Sequence, residues 1–302
     1  LTVGLRCANV LIYSQSERFP MVKIVAMGDN VVDCYLSRDT MFPGGNCLNV
    51  SVFIRKFGGK SAYLGAVGRD PAGRAIVQAL SQEGVDTSRL RQLDGSTAYC
   101  IIGHRNADRV FVTFDLGISM FEPSDDDFEF ICGYDAVQIG QSSGLDGHVA
   151  RVASLRPLSY DFSNKYDDAK IERIAPLCYL ATVSARDDAR DHALELMRNV
   201  VTRGAKWCLV TLGSKGAILG GETGIFDVPA AKVDLVDTLG AGDTFIARTL
   251  FGLVKGEAPP ELLAAAATEA ARTCSYYGAV GHGVPIDLDV DVDAILSAHP
   301  DL

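Results

Sequence analysis

The feature that most narrows the fold of this chain is a regular alternation of β-rich runs and amphipathic stretches. From about residue 134 it reads "DAVQIG", helix, "PLSYDFS", helix, "CYLATVS", a helix over 187–203, then "KWCLVTLG". In that last helix Leu194, Met197, Val200 and Val201 share one face. Apolar strands separated by helices predict a mostly parallel central sheet covered by helices on both faces, an α/β fold. Upstream, "VKIVAMGDN" reads as a buried strand ending in a turn, and "SAYLGAVG" as another strand. "GGNCLNVSVFIRKFGG" reads as a helix stopped by Gly58 and Gly59, and Pro71 starts a further helix. Strands at "KGAILG" and near 225–236 precede helices at about 242–255 and 260–277.

Residues 97–115, "TAYCIIGHRNADRVFVTFD", interrupt this alternation. Two β-rich runs flank "RNAD", a plausible hairpin connection. With the short segments near 32–42 they predict a small β-sheet standing off the main body, built from about 32–43 and 96–116. The domain pattern starts at Met21. Residues 1–20 are an extension without an assigned role, and 21–302 are expected to form a single domain.

Composition removes several function classes. The 302 residues are 48% hydrophobic and 22% charged, which predicts a sizeable packed core. A net charge of -10 argues against nucleic-acid or anionic-membrane binding, both of which need clustered Lys and Arg. A bound anion would therefore rely on backbone N–H groups and a metal ion. The eight cysteines form no C-x-x-C pair and read as reduced core residues of a cytoplasmic protein. No apolar run approaches the roughly 18 residues of a membrane helix.

The chemistry concentrates at "DTLGAGDTF". A helix N-terminus offers unsatisfied N–H groups and a partial positive charge. Gly240, Ala241 and Gly242 remove bulk just before it, so that an anion can approach the backbone. This suits a phosphoryl group gaining charge during transfer. Asp243 in the same turn would repel phosphate, unless it faces an acceptor hydroxyl and takes its proton. The string also reads as a glycine-rich helix start with Asp243 as a cap.

"FPGGNCLNV" is a second constellation. Gly44 and Gly45 let a ligand press on the backbone, Asn46 and Asn49 present amides one turn apart, and Asp33 can accept from a polyol. Each also reads as structural, Asp33 as a turn residue and Asn46 as a cap. "LVTLGSKGA" places Thr211, Gly213 and Gly216 at the end of a strand, where a nucleotide phosphate or a tight strand–strand turn fits equally. There is no P-loop string, and "GAVGRDPAG" lacks dinucleotide spacing. His148 and His282 show no metal spacing.

Together the two constellations resemble the ribokinase-type (PfkB) family of carbohydrate kinases. "PGGNCLNVSVFIRKFGGKSAYLGAVGRDPAG" looks like its N-terminal signature and "DTLGAGDTFIA" like its C-terminal one, over nearly everything from Met21 to Pro285. "GDNVVDCY", "DRVF", "YDFSNKYD" and "ATVSA" look most like the fructoselysine 6-kinase branch. The resemblance implies a ribokinase-like fold whose small β-sheet is a lid over the sugar. It implies Asp243 as catalytic base and Gly240, Ala241 and Gly242 as anion hole, with Asp33, Gly44, Gly45 and Asn49 at the sugar. Ser184, Thr211, Gly213, Gly216, Cys274 and Gly278 would line the ATP site, with Mg²⁺ accompanying ATP. A monovalent cation (K⁺) near Asp237 is a habit of some members, and pairing of lids into a homodimer is a family tendency.

One departure stands out. Many members carry Asn-x-x-Glu after the strand corresponding to "CYLATVS", whereas this chain has Ser184 and Asp187. Asp187 would organise water around Mg²⁺. The segment between Asp33 and Gly44 is short, which implies an open sugar pocket. The leading expectation is phosphorylation of a primary hydroxyl of a fructosamine. The rivals are another acceptor (ribose, a nucleoside, 2-keto-3-deoxygluconate), a non-catalytic sugar-binding protein on the same scaffold, and a nicotinamide-dependent oxidoreductase with its cofactor at Gly65–Gly73.

Overall fold

Strand β1 (Lys23–Met27) sends Ile24 and Ala26 into one apolar cluster and Val25 and Met27 into another, all four fully buried. That two-sided burial is the mark of a central strand in a parallel sheet. The computed structural model describes residues 21–105, 108–185 and 189–290. Its main sheet has eight strands in the order β14 (Gly224–Val228), β13 (Ala217–Gly221), β12 (Trp207–Thr211), β11 (Cys178–Ser184), β10 (Leu158–Asp161), β9 (Ala136–Gly140), β1 and β4 (Lys60–Leu64). From β12 to β4 every pairing is parallel; β13 and β14 close the edge antiparallel.

Helices cover both faces. On one lie α1 (Asn46–Lys56), α7 (Ala241–Lys255) and α8 (Pro259–Thr273), and α2 (Pro71–Gln82) joins the same cluster. On the other lie α3 (Asp125–Ile131), α4 (Val149–Leu155), α5 (Asp168–Ile174) and α6 (Arg190–Thr202). In α6 the buried stripe is Ala193, Leu196, Met197 and Val200, while Leu194 and Val201 are half-buried at its margin. The expected α/β architecture is therefore present. The expected strand near 225–236 ends at Val228, and the helix expected to 277 stops at Thr273.

A second, five-stranded sheet runs β15 (Val284–Pro285), β3 (Thr40–Gly44), β2 (Val31–Tyr35), β7 (Tyr99–Arg105) and β8 (Asp108–Asp115). Its edge strand β15 has no signature in sequence, because two residues carry no periodicity. "SAYLGAVG" does not form one strand: β4 stops at Leu64, and β5 (Ala66–Gly68) pairs with β6 (Arg91–Leu93) in a separate ribbon. Gly65 sits at the break, where a Cβ would lie 2.3 Å from the Tyr63 hydroxyl. Among the described residues, no helix is long and apolar enough to cross a membrane.

Candidate active site

Parallel strands point the same way, so their carboxyl ends share one edge, where ligands bind in open α/β sheets. That edge carries Asp29 just past β1, Asp161 ending β10, Ser184 ending β11 and Thr211 ending β12, with Ser184 and Thr211 paired in register. Asp243 reaches the same place from the first turn of α7, and Asn46 and Asn49 from that of α1.

Asp243 is the hub. Its Oδ1 accepts from Asn46 Nδ2 at 2.8 Å and its Oδ2 from Asn49 Nδ2 at 2.6 Å. Asn46 Nδ2 also donates to Asp161 Oδ2 at 3.1 Å, and its backbone N–H to Asp29 Oδ2 at 2.9 Å. Gln138 Nε2 donates to Asn46 Oδ1 at 3.0 Å, which fixes the sense of that amide. Thr182 Oγ1 and the Ser163 N–H donate to Asp161 Oδ1 at 2.8 and 2.9 Å. One asparagine thus ties three carboxylates together. Burial raises the proton affinity of Asp243; the two asparagines oppose this and Asp29 adds to it. Burial likewise pushes Asp161 up to about 7, reinforced by the charges of Asp243 and Asp29. Buried like charges make this an expected outcome, and strongly perturbed carboxyls cluster at functional sites.

Beside Asp243, a Cβ on Gly242 would meet nothing within 4 Å. Among the described residues the N–H groups of Gly242 and Asp243 have no partner, whereas Ala241 N–H donates to Thr238 O at 3.3 Å. The approachable N–H groups are therefore those of Gly242 and Asp243. Gly240 serves the chain instead: at φ 78° it brings Ala279 so close that a Cβ would lie 2.4 Å from the alanine methyl.

The other expected site residues divide in the same way. Asp33 is buried on β2, and its carboxyl fills the space that a side chain on Gly44 would occupy. Gly45, at φ +105°, lies against the Asn30 backbone, 2.7 Å from where its Cβ would be. Asn49 is 3% exposed, and its Oδ1 has no partner among the described residues. Gly216 makes room for Val228 O and Gly278 for the Phe42 ring. Gly213 is exposed in the turn after Thr211. The Cys274 carbonyl accepts from the Val236 and Asp237 N–H groups, tying the end of α8 to the loop before α7. Asp237 is buried and accepts from the Tyr35 hydroxyl and the N–H groups of Leu239 and Gly278. Asp187 lies outside the described residues. Two surface cavities, of about 440 and 620 Å³, lie around Arg156 and Pro157 at the opposite edge of the sheet and contain none of these residues.

Asp29, Asp161 and Gln138 were not singled out from sequence. For Asp29 and Asp161 the usable signal is position at the carboxyl end of a parallel strand, whereas Gln138 lies mid-strand in β9 and carries no such signal.

A carboxylate held by two amides at a helix N-terminus, beside free N–H groups, matches proton abstraction next to a bound anion. The pfkB family carbohydrate kinase model matches residues 21–286. The chain belongs to the pfkB family of carbohydrate kinases. Among its family relatives, fructosamine kinase FrlD of Bacillus subtilis (strain 168) is 35% identical over 273 residues, covering 89% of this chain and 96% of the relative. Fructoselysine 6-kinase of Escherichia coli (strain K12) is 32% identical over 266 residues, covering 86% and 100%. Arabidopsis thaliana ribokinase, solved with ribose and ATP, superposes with a TM-score of 0.77 at 21% identity, covering 92% of this chain and 98% of that one. This pfkB member is thus an ATP-dependent carbohydrate kinase with the ribokinase-like fold, which sets aside the oxidoreductase reading.

Proposed function

We propose that the kinase transfers the γ-phosphoryl of ATP to the primary 6-hydroxyl of a fructosamine such as fructoselysine. The observation that carries the mechanism is Asp243, clasped by Asn46 and Asn49 beside the open face of Gly242. The acceptor class rests on the relatives at 35% and 32% identity.

Asp243 takes the proton of the sugar hydroxyl as its oxygen bonds to the γ-phosphorus. The bond from that phosphorus to the bridging oxygen breaks, and ADP leaves with the electron pair. The N–H groups of Gly242 and Asp243, at the positive end of α7, oppose the charge that develops on the phosphoryl oxygens. The unpartnered Asn49 Oδ1 is a buried acceptor awaiting a donor, and a sugar hydroxyl supplies one. Asp33 faces the sugar side, with Gly44 and Gly45 letting Asp33 and the Asn30 backbone pack close behind it. Ser184, Thr211 and Gly213 line the triphosphate side, with Cys274 and Gly278 beside the base.

Mg²⁺ fits this set. The ion is held by one or two carboxylates plus substrate phosphates and keeps several waters. Asp29 and Asp161, each one hydrogen bond from Asn46, offer that chemistry and form an anionic cluster with Asp243 that attracts a divalent cation. Bound there it would neutralise phosphate charge. The second sheet acts as a lid that excludes water, so that ATP is not hydrolysed. Its exposed Phe114, with Leu116 and Met120 nearby, gives two lids an apolar face to pair in a homodimer.

The test is ADP formation against a panel of fructoselysine, other fructosamines, fructose, ribose, a nucleoside and 2-keto-3-deoxygluconate. Fructosamines are expected to give the highest kcat/KM; preference for ribose or the nucleoside would overturn the acceptor assignment. Asp243→Asn should cut sugar-dependent turnover by about 10²-fold or more while ATP still binds.

A further inference from the structure

Alkali cations bind proteins where carboxylate and carbonyl oxygens replace the ion's hydration shell. The region around Asp237 has such oxygens, but the chain's own donors already use them. Asp237 Oδ2 accepts from the Tyr35 hydroxyl at 2.6 Å and from the Gly278 N–H at 3.1 Å, and Oδ1 from the Leu239 N–H at 3.0 Å. The neighbouring carbonyls are also engaged. Cys274 O accepts from the N–H groups of Val236 and Asp237 at 2.8 and 3.2 Å. Gly240 O accepts from the N–H and hydroxyl of Thr244 at 2.8 and 2.9 Å. Ala279 O accepts from the Tyr276 hydroxyl at 3.2 Å, and Val280 O from the Lys56 ammonium at 3.3 Å. Hydroxyl, peptide N–H and ammonium donors of the chain thus occupy the oxygens that an alkali ion would need.

We infer that the loop before α7 is held by the chain's own donors, and that this kinase requires no monovalent cation at Asp237. The same contacts form a structural tie. Tyr35 belongs to β2 of the lid sheet, and Gly278 packs against Phe42 of β3. Ala279 fits against Gly240, directly before the turn that carries Asp243. The segment then continues into β15, the lid's edge strand. Asp237 therefore joins lid, nucleotide-side loop and phosphoryl turn at one buried carboxylate, which is 8% exposed. The ring of Tyr277, with the Arg38 guanidinium 3.8 Å from its centroid, packs on Tyr35 and closes the node.

The test compares the full chain in KCl and in tetramethylammonium chloride at matched ionic strength, reading both ADP formation and thermal melting. The inference rests on the kinase reading for the first readout only. Rates are expected to agree within about twofold and melting temperatures within about 1 °C, because an ion bound only to the folded state raises its stability. Activation by K⁺ of tenfold or more, or a rise in melting temperature of several degrees, overturns it. Tyr35→Phe should lower the melting temperature by about 2–4 °C in both salts, as loss of a donor to a buried carboxylate does; a variant that melts with the parent overturns the tie. Failure of every sugar to yield ADP would sink the kinase reading, while the melting comparison still decides the cation question.

Discussion

Two helix starts in this protein look alike in sequence and differ in space. Gly44-Gly45 precedes α1 and Gly240-Ala241-Gly242 opens α7, and each brings amide or carboxylate side chains to the same hydrogen-bonded cluster. At the first, the chain itself fills both gaps, with the Asp33 carboxyl at Gly44 and the Asn30 backbone at Gly45. At the second, Ala279 fills the gap at Gly240, and only Gly242 faces free space. Three of the four glycines therefore serve close packing, and one leaves an open face at which we propose the ligand approaches. A glycine-rich turn marks close approach without saying whether the approaching group is ligand or protein.

The sharpest test of this contrast is Gly242→Val. It should lower kcat/KM by about 10²-fold, comparable to losing an oxyanion donor, because the new side chain occupies the phosphoryl approach. Melting should be almost unchanged, since nothing packs there; a large melting loss with intact turnover would reverse the assignment.

Gly45→Ala should do the opposite. Its φ of +105° and the 2.7 Å clash with Asn30 Cα predict a loss of about 1–3 kcal/mol, seen as a melting point several degrees lower. A protein as stable as the parent would mean that Gly45 is kept for a ligand.

Asn46→Ala probes the clasp. The Asn46 hydrogen bond holds the proton affinity of Asp243 down, so its loss raises that affinity further. The acid limb of the kcat/KM–pH profile should move to higher pH, because a hydrogen bond to the charged form is lost. An unmoved limb would show that Asp243 is not the titrating base.

The smallest effect concerns Asp161. Its folded-state pKa of about 7 lies above the ordinary 3.8, so the folded protein binds its proton more tightly than the unfolded chain does. The resulting stability is fully present below about pH 4 and is lost as pH rises through about 7. Asp161→Asn removes this slope, and its melting temperature relative to the parent should climb by a few degrees from pH 4 to pH 8. A constant difference would place Asp161 outside the coupled cluster.

How far the site was legible depended on sequence separation. Asp243 stands in a short, chemically unusual string, and Asn49 lies in a recognisable helix start. Asp161 ends an unremarkable strand, and its partners Thr182 and Asn46 lie 21 and 115 residues away. No local pattern connects them, because side-by-side alignment of parallel strand ends does so. The second sheet's edge strand and the Tyr35–Asp237 tie, 202 residues apart in sequence, escaped for the same reason.

By itself the sequence determined the α/β alternation, the main strands of the second sheet and the aspartate at the start of α7, since these follow from periodicities and strings a few residues long. Only the tertiary structure decided which glycine faces open space, which carboxylates share one asparagine, and which phenol Asp237 meets. Those are questions of which distant groups fill a few ångströms of space, and chain order does not encode that locally.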